Sequence, residues 1–225
     1  MKLLESGRLE HLSSVLSNLE MGEWRVLGSV ESYSCKVAGT EQKGLYKKMA
    51  KDGGGSDIVA LSPPLEANFL SRSVESDQEV ITPENLEMFV ISRKMLFNLI
   101  TTLNLSFFPD YDFSDAKSHE FSRSPSLAHV WAEIDSRLGQ SNFYNRSVRQ
   151  KLWEEIDTEI GGLKNSEIFS YKPDFESDPF SESGCVWSFN FFFYNPKLKR
   201  VVFLTCRAIS PNSSTSEDSE FSMED

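Results

Sequence analysis

Cys185-Val186-Trp187-Ser188-Phe189-Asn190-Phe191-Phe192-Phe193-Tyr194 is the stretch that decides the fold. Cys185, Trp187, Phe189, Phe191 and Phe193 share one parity, while Val186, Ser188, Asn190, Phe192 and Tyr194 form a mixed set on the other. Side chains alternate across a strand, so one face enters the core and the other is partly covered. Asn195-Pro196-Lys197 then turns the chain into Val201-Val202-Phe203-Leu204-Thr205-Cys206. The two runs predict an antiparallel hairpin, because a parallel return needs a long crossover.

Upstream of the hairpin the pattern is helical. Leu96, Leu99, Ile100, Leu103 and Phe107 make a stripe that begins after Ser92 and stops before Pro109. Ser124-Pro125 reads as a cap followed by proline at the first helical position, ahead of Leu127, Val130, Trp131, Ile134 and Leu138. Val148, Leu152, Ile156 and Ile160 predict a third helix, ended by Gly161-Gly162. Residues 167–171 suit a short strand.

At the other end, Leu9, Leu12, Val15, Leu16 and Leu19 predict an amphipathic helix with Ser6 as candidate cap. Trp24, Val26 and Val30 then alternate against Leu27, Tyr33, Cys35 and Val37, which predicts a strand bent or bulged near Gly28.

Between these halves, residues 38–90 hold Gly53-Gly54-Gly55, Ser62-Pro63-Pro64 and Thr82-Pro83, and only 43–50 suits a short helix. The expected organisation is an N-terminal box at 1–37, a flexible linker at 38–90, a C-terminal part of the same domain at 91–210 and an acidic, disordered tail at 211–225. The expected fold is α+β, a central antiparallel sheet packed with helices. The N-terminal helix and strand must join that sheet across a mobile linker, since alone they bury too little surface.

The formal net charge is −11, from 34 acidic and 23 basic residues. Phosphate backbones would be repelled at long range, so a protein partner is expected and direct nucleic-acid binding is not. Cys35, Cys185 and Cys206 are far apart, form no CxxC and number three, which suits thiols in a reducing compartment. No signal peptide and no membrane-length apolar run is read, so the expected protein is soluble and intracellular, without a membrane.

Two stretches put carboxylates among aromatics: Phe108-Pro109-Asp110-Tyr111-Asp112-Phe113 and Asp174-Phe175-Glu176-Ser177-Asp178-Pro179-Phe180. Paired carboxylates serve acid–base catalysis or divalent cations. In loops Asp also forms turns and caps, and that reading outweighs catalysis. A third use is recognition, with aromatic anchors beside acids. His119-Glu120 opens like a zinc helix, but Arg123 stands where the second histidine belongs. No catalytic residue, metal or cofactor is assigned. Lys197-Leu198-Lys199-Arg200 is a basic cluster that suits a partner contact, a nuclear-entry signal or a plain exposed turn. Ser62, Ser71 and Ser73 are candidate phosphorylation sites in the linker, each adding about −1.5 to −2 charge.

An ordered set of strings carries a resemblance. It runs from Met1-Lys2-Leu3-Leu4-Glu5 and Glu31-Ser32-Tyr33-Ser34-Cys35-Lys36 through Pro109-Asp110-Tyr111-Asp112-Phe113-Ser114 and Ser118-His119-Glu120-Phe121-Ser122. Ser92-Arg93-Lys94, Asp178-Pro179-Phe180, Trp187-Ser188-Phe189-Asn190, Phe192-Phe193-Tyr194-Asn195 and Leu198-Lys199-Arg200 complete it. The chain thereby resembles the Maf-type negative regulators of RNA polymerase III. The resemblance implies a non-enzymatic repressor that binds the polymerase near its clamp and blocks recruitment by initiation factors. It further implies a regulatory linker acted on by kinases and phosphatases, and movement between cytoplasm and nucleus. On matching positions, Lys36 and Asp178 are expected to join the two halves. Asp110, Asp112, Asp174, Asp178, Lys197, Lys199 and Arg200 are expected to meet the polymerase.

Overall fold

Alternating apolar residues fold β8 (Cys185–Asn195) and β9 (Arg200–Ile209) into the expected antiparallel hairpin. Asn195 Oδ1 closes the turn by accepting from the amides of Lys197 and Leu198 at 2.9 and 3.2 Å. The computed structural model describes residues 1–37, 39–52, 57–63, 89–173 and 178–211.

The other flank of β9 is taken by β3 (Trp24–Ser34), from Arg25↔Ile209 to Ser34↔Arg200. With β1 (Lys2–Leu4), β7 (Glu167–Tyr171) and β6 (Phe121–Arg123), the antiparallel order is β1-β3-β9-β8-β7-β6. β2 (Glu20–Met21) also pairs with β3. β4 (Ile58–Ala60) and β5 (Val90–Ser92) make a separate two-stranded sheet.

Helices cover both faces of the main sheet. On one face, Val30, Phe189, Phe191, Phe193 and Leu204 pack against α1 (Gly7–Ser17), α4 (Leu127–Leu138) and α5 (Arg149–Ile160). On the other, Tyr33, Phe192, Val201 and Phe203 pack against α3 (Arg93–Ser106). α2 (Gly39–Asp52) lies over that second cluster through Leu45 and Met49, and Tyr46 meets Phe97 of α3 edge-on at 5.3 Å. The result is α+β in three layers.

Several local expectations change. Gly28 is not a bulge, since β3 keeps its register with β9 throughout. A Cβ there would lie 2.7 Å from Leu16 Cβ and 2.8 Å from Cys206 Sγ, so glycine admits α1 close to the strand. The irregularity falls instead between Cys185 and Trp187. The extra residue moves Cys185 off the Trp187 face and leaves Val186 46% exposed. Ser6 occupies the N-cap position of α1 but its side chain makes no cap bond. The cap of α4 is Ser126, whose side chain accepts from the His129 amide at 3.2 Å. Ser124 is drawn into the sheet by its amide bond to Ile168 O at 2.8 Å, so the helix starts later than Ser124-Pro125 suggested. Within the stretch read as linker, α2 runs well beyond 43–50 because its apolar side has a partner in α3.

α1 also protects the flank of β3. Ser13 Oγ meets the Val30 amide and carbonyl at 2.8 and 3.2 Å, and Ser17 Oγ meets those of Gly28 at 3.2 and 2.8 Å. Four helical residues rise about 6 Å and two strand residues about 6.7 Å, so i,i+4 hydroxyls match i,i+2 backbone groups. Ser13→Ala should therefore strand a buried peptide and cost about 1–3 kcal/mol in urea unfolding. Gly28→Ala should overpack the contact with α1, by about 1–3 kcal/mol in the same measurement.

Candidate partner-binding surface

At the end of α3 apolar surface reaches solvent, and Phe108 is the most exposed of the large hydrophobic residues described. Phe107 closes the helix, its amide bonded to Leu103 O at 3.0 Å, and Pro109 forbids a further turn. Phe107 folds inward onto Phe113, Phe180 and Phe203, with ring centres 5.7, 5.4 and 6.4 Å away. Its neighbour Phe108 is left 79% exposed, near Leu105 at 38%.

Asn104 holds the following loop in place. Its Oδ1 accepts from the Phe113 amide at 2.6 Å, and its Nδ2 donates to Ser114 Oγ at 3.2 Å. Asp110 and Asp112 stand exposed on this pinned loop, and Asp112 Oδ1 accepts from the Ser114 amide at 2.9 Å. Between the loop and α2 runs a groove of 400 Å³ lined by Glu41, Leu45, Leu105, Phe108 and Asp112. An exposed aromatic, an apolar floor and an acidic rim suit the anchoring of a basic protein surface.

Asp178 is placed differently from Asp110 and Asp112. It is buried, and its Oδ1 accepts from the Phe180 amide at 2.7 Å, the Ser181 amide at 3.2 Å and Ser181 Oγ at 3.1 Å. Its carboxylate shapes its own turn, which removes it from the expected contact surface. Burial pushes its pKa up, against the opposing pull of those hydrogen bonds. Asp112, His119 and Asp178 do line one cleft of 520 Å³, with Glu120 and Tyr171, while Asp110 does not. Among the described residues no three His, Cys, Asp or Glu side chains are grouped to hold a metal.

Lys36 and Asp178 form no ion pair: Lys36 is exposed beyond β3, and Asp178 turns to its own loop. The halves are joined elsewhere. Glu159 of α5 accepts at Oε1 from Ser32 Oγ of β3 at 2.9 Å and from Arg200 Nη1 of β9 at 2.8 Å. Arg200 Nη1 also donates to Glu159 O at 2.6 Å, so Arg200 works inside the fold. Glu31 Oε2 accepts from Tyr33 Oη at 2.6 Å and Ser106 Oγ at 2.5 Å, fastening β3 to the end of α3. Lys197 and Lys199 are exposed on the hairpin turn. Ser62 is half-buried, its amide bonded to Phe121 O at 2.9 Å. Ser71, Ser73 and Asp174 lie outside the described residues.

Sequence reasoning missed Glu159, which gave no signal in a helix where it reads as a surface acid. It also passed over Leu105, which lines the groove beside Phe108. The Phe-Pro step after a helical stripe was the available clue, since it ends the helix with an apolar residue still to place.

The α+β body presents a pinned aromatic and acidic loop beside an apolar groove, a surface of the kind that suits a protein partner. Residues 26–205 match the model of the Maf1 regulator family. A protein of Dictyostelium discoideum named "Repressor of RNA polymerase III transcription" is 34% identical over 241 residues, covering 93% of this chain and 85% of that protein. A Schizosaccharomyces pombe protein, "Repressor of RNA polymerase III transcription maf1", is 29% identical over 209 residues, covering 93% and 83%. The crystal structure of citrus MAF1 superposes with a TM-score of 0.61 at 31% identity, covering 90% of this chain and 99% of that one. The chain belongs to the Maf1 family.

The raised pKa of Asp178 sets the direction of a pH effect on stability. The folded state holds the proton more tightly than the unfolded state, where the pKa is about 3.9. Ionisation in the fold is thus a cost, present above the folded pKa and relieved as pH falls toward the unfolded value. Asp178→Asn keeps the acceptor oxygen but cannot ionise. Relative to this variant, the native chain should gain stability on acidification from neutral pH toward about 4, measured by urea midpoints. Glu159→Ala, which leaves Ser32 and Arg200 without their shared acceptor, should cost about 1–3 kcal/mol.

Proposed function

We propose that this chain represses transcription by RNA polymerase III, docking near the polymerase clamp and blocking recruitment by initiation factors. Relatives spanning most of the chain carry that repressor name, and family membership is the observation on which the reading rests. The physical support is the groove beside Phe108 and Leu105 with its rim of Glu41 and Asp112. Repression by occupancy needs no bond to be made or broken, so the reading is non-enzymatic. Only the cleft of Asp112, His119 and Asp178 favours a carboxylate enzyme, and there Asp178 spends its Oδ1 on its own turn.

In this reading kinases and phosphatases set activity through Ser62, Ser71 and Ser73, and the protein moves between cytoplasm and nucleus. Lys197 and Lys199, both exposed, are the polymerase contacts or nuclear-entry residues on the second surface. Asp110 and Asp112 flank the aromatic anchor on the first.

The test is transcription in vitro from a tRNA-type promoter with purified polymerase, initiation factors and the full chain. Dose-dependent loss of transcript is expected, and unchanged output would overturn repression. Phe108→Ala, at an exposed position, should raise the half-maximal concentration about tenfold, as loss of an interface anchor does. Its unfolding midpoint should stay unchanged.

A further inference from the structure

The groove beside Phe108 leaves a second cleft of the molecule unused, one that shares only Lys199 with the residues assigned above. Between the start of α3 and the β8–β9 turn lies a cleft of 450 Å³ lined by Lys94, Lys199 and Arg123, with Glu167 as its one carboxylate. Glu167 Oε2 is already held 3.0 Å from Arg123 Nη2. Neither Lys94 nor Lys199 is ion-paired among the described residues. The Cys35 amide donates to Lys199 O at 2.8 Å, which holds the turn that carries Lys199 against the end of β3. Positive charge is therefore gathered at one place on a chain of net charge −11.

Asn98 supplies an independent observation. It lines this cleft, is 1% exposed, and its Oδ1 has no hydrogen-bond partner. Buried amide oxygens are almost always satisfied, so a donor from a ligand fits this position. Arg123 Nε is likewise buried without an acceptor. The site thus asks for two things at once: an anion for the cations, and an N–H for Asn98. Inorganic phosphate answers mainly the first. A phosphorylated peptide answers both, its phosphate forming charge-assisted bonds and its main chain donating to the amide.

The strands around the cleft indicate its occupant. Ile58 of β4 and Val90, Ile91 and Ser92 of β5 line the cleft, so the chain between those strands is tethered beside it at both ends. That stretch contains Ser71, Ser73 and Ser76. Tethering raises the effective concentration of a weak ligand to the millimolar range.

We propose that this cleft binds a phosphoserine of the chain's own 64–88 stretch, phosphate on Lys94, Lys199 and Arg123 and a main-chain N–H on Asn98 Oδ1. The proposal draws on the regulatory reading only for the origin of the phosphate, and its test does not use transcription.

The test measures binding of a fluorescent peptide of residues 67–77, phosphorylated at Ser71 and Ser73, to the unphosphorylated full chain by anisotropy. Saturable binding is expected, weakened at least tenfold in the unphosphorylated peptide. Lys94→Glu and Lys199→Glu should each weaken it at least fivefold with the unfolding midpoint unchanged. Asn98→Leu should weaken it too while holding or raising that midpoint, which a purely structural asparagine would not do. Equal binding of both peptides, or indifference to the lysine reversals, overturns the site. Equal binding of an unrelated phosphoserine peptide overturns the assignment to this chain's own stretch, and displacement by inorganic phosphate at the same concentration overturns the role of Asn98.

Discussion

The ladder between β3 and β9 is the constraint on which the rest of the molecule depends. It runs nearly the whole length of β3 and places an early strand of the long sheet beside the last. The two strands are far apart in sequence, and both faces of β9 are buried in the fold, one in each cluster. Ser32, Glu159 and Arg200 lock one end of it to α5, and Glu31 with Tyr33 and Ser106 locks the same end to α3. Once β3 is docked, α1 is carried against its flank and the Ser13 and Ser17 hydroxyls satisfy the strand's outward peptides.

That arrangement explains how a long connection between the halves is tolerated. Loop-closure entropy grows slowly with length, about 0.6 kcal/mol for each doubling. The ladder and two buried clusters outweigh such a change easily. Residues between β4 and β5 can therefore vary in number without loosening the sheet. They remain anchored where the two short strands pair, next to the basic cleft.

The two candidate surfaces differ in how they are built. The Phe108 groove is made by a helix that ends abruptly and a loop that Asn104 holds rigid. Its anchor is exposed because inward neighbours Phe107 and Phe113 fill the available core. The basic cleft, by contrast, is assembled from α3, β6, β7 and the hairpin turn, and no single segment carries its chemistry.

The sequence alone determined the features that local periodicity dictates. The β8–β9 hairpin, the stripes of α1, α3, α4 and α5, and the Gly161 stop could be read because parity and helical spacing are local properties. The loop that carries Asp110 and Asp112 was legible for the same reason, since Pro109 ends the helical stripe. Only the tertiary structure decided that Asp178 turns inward, that Arg200 pairs with Glu159, and that Gly28 makes room for α1 instead of a bulge. Each depends on which atoms arrive from distant segments. Hydrogen bonding and close packing are pairwise matters, and a linear pattern fixes only one member of the pair.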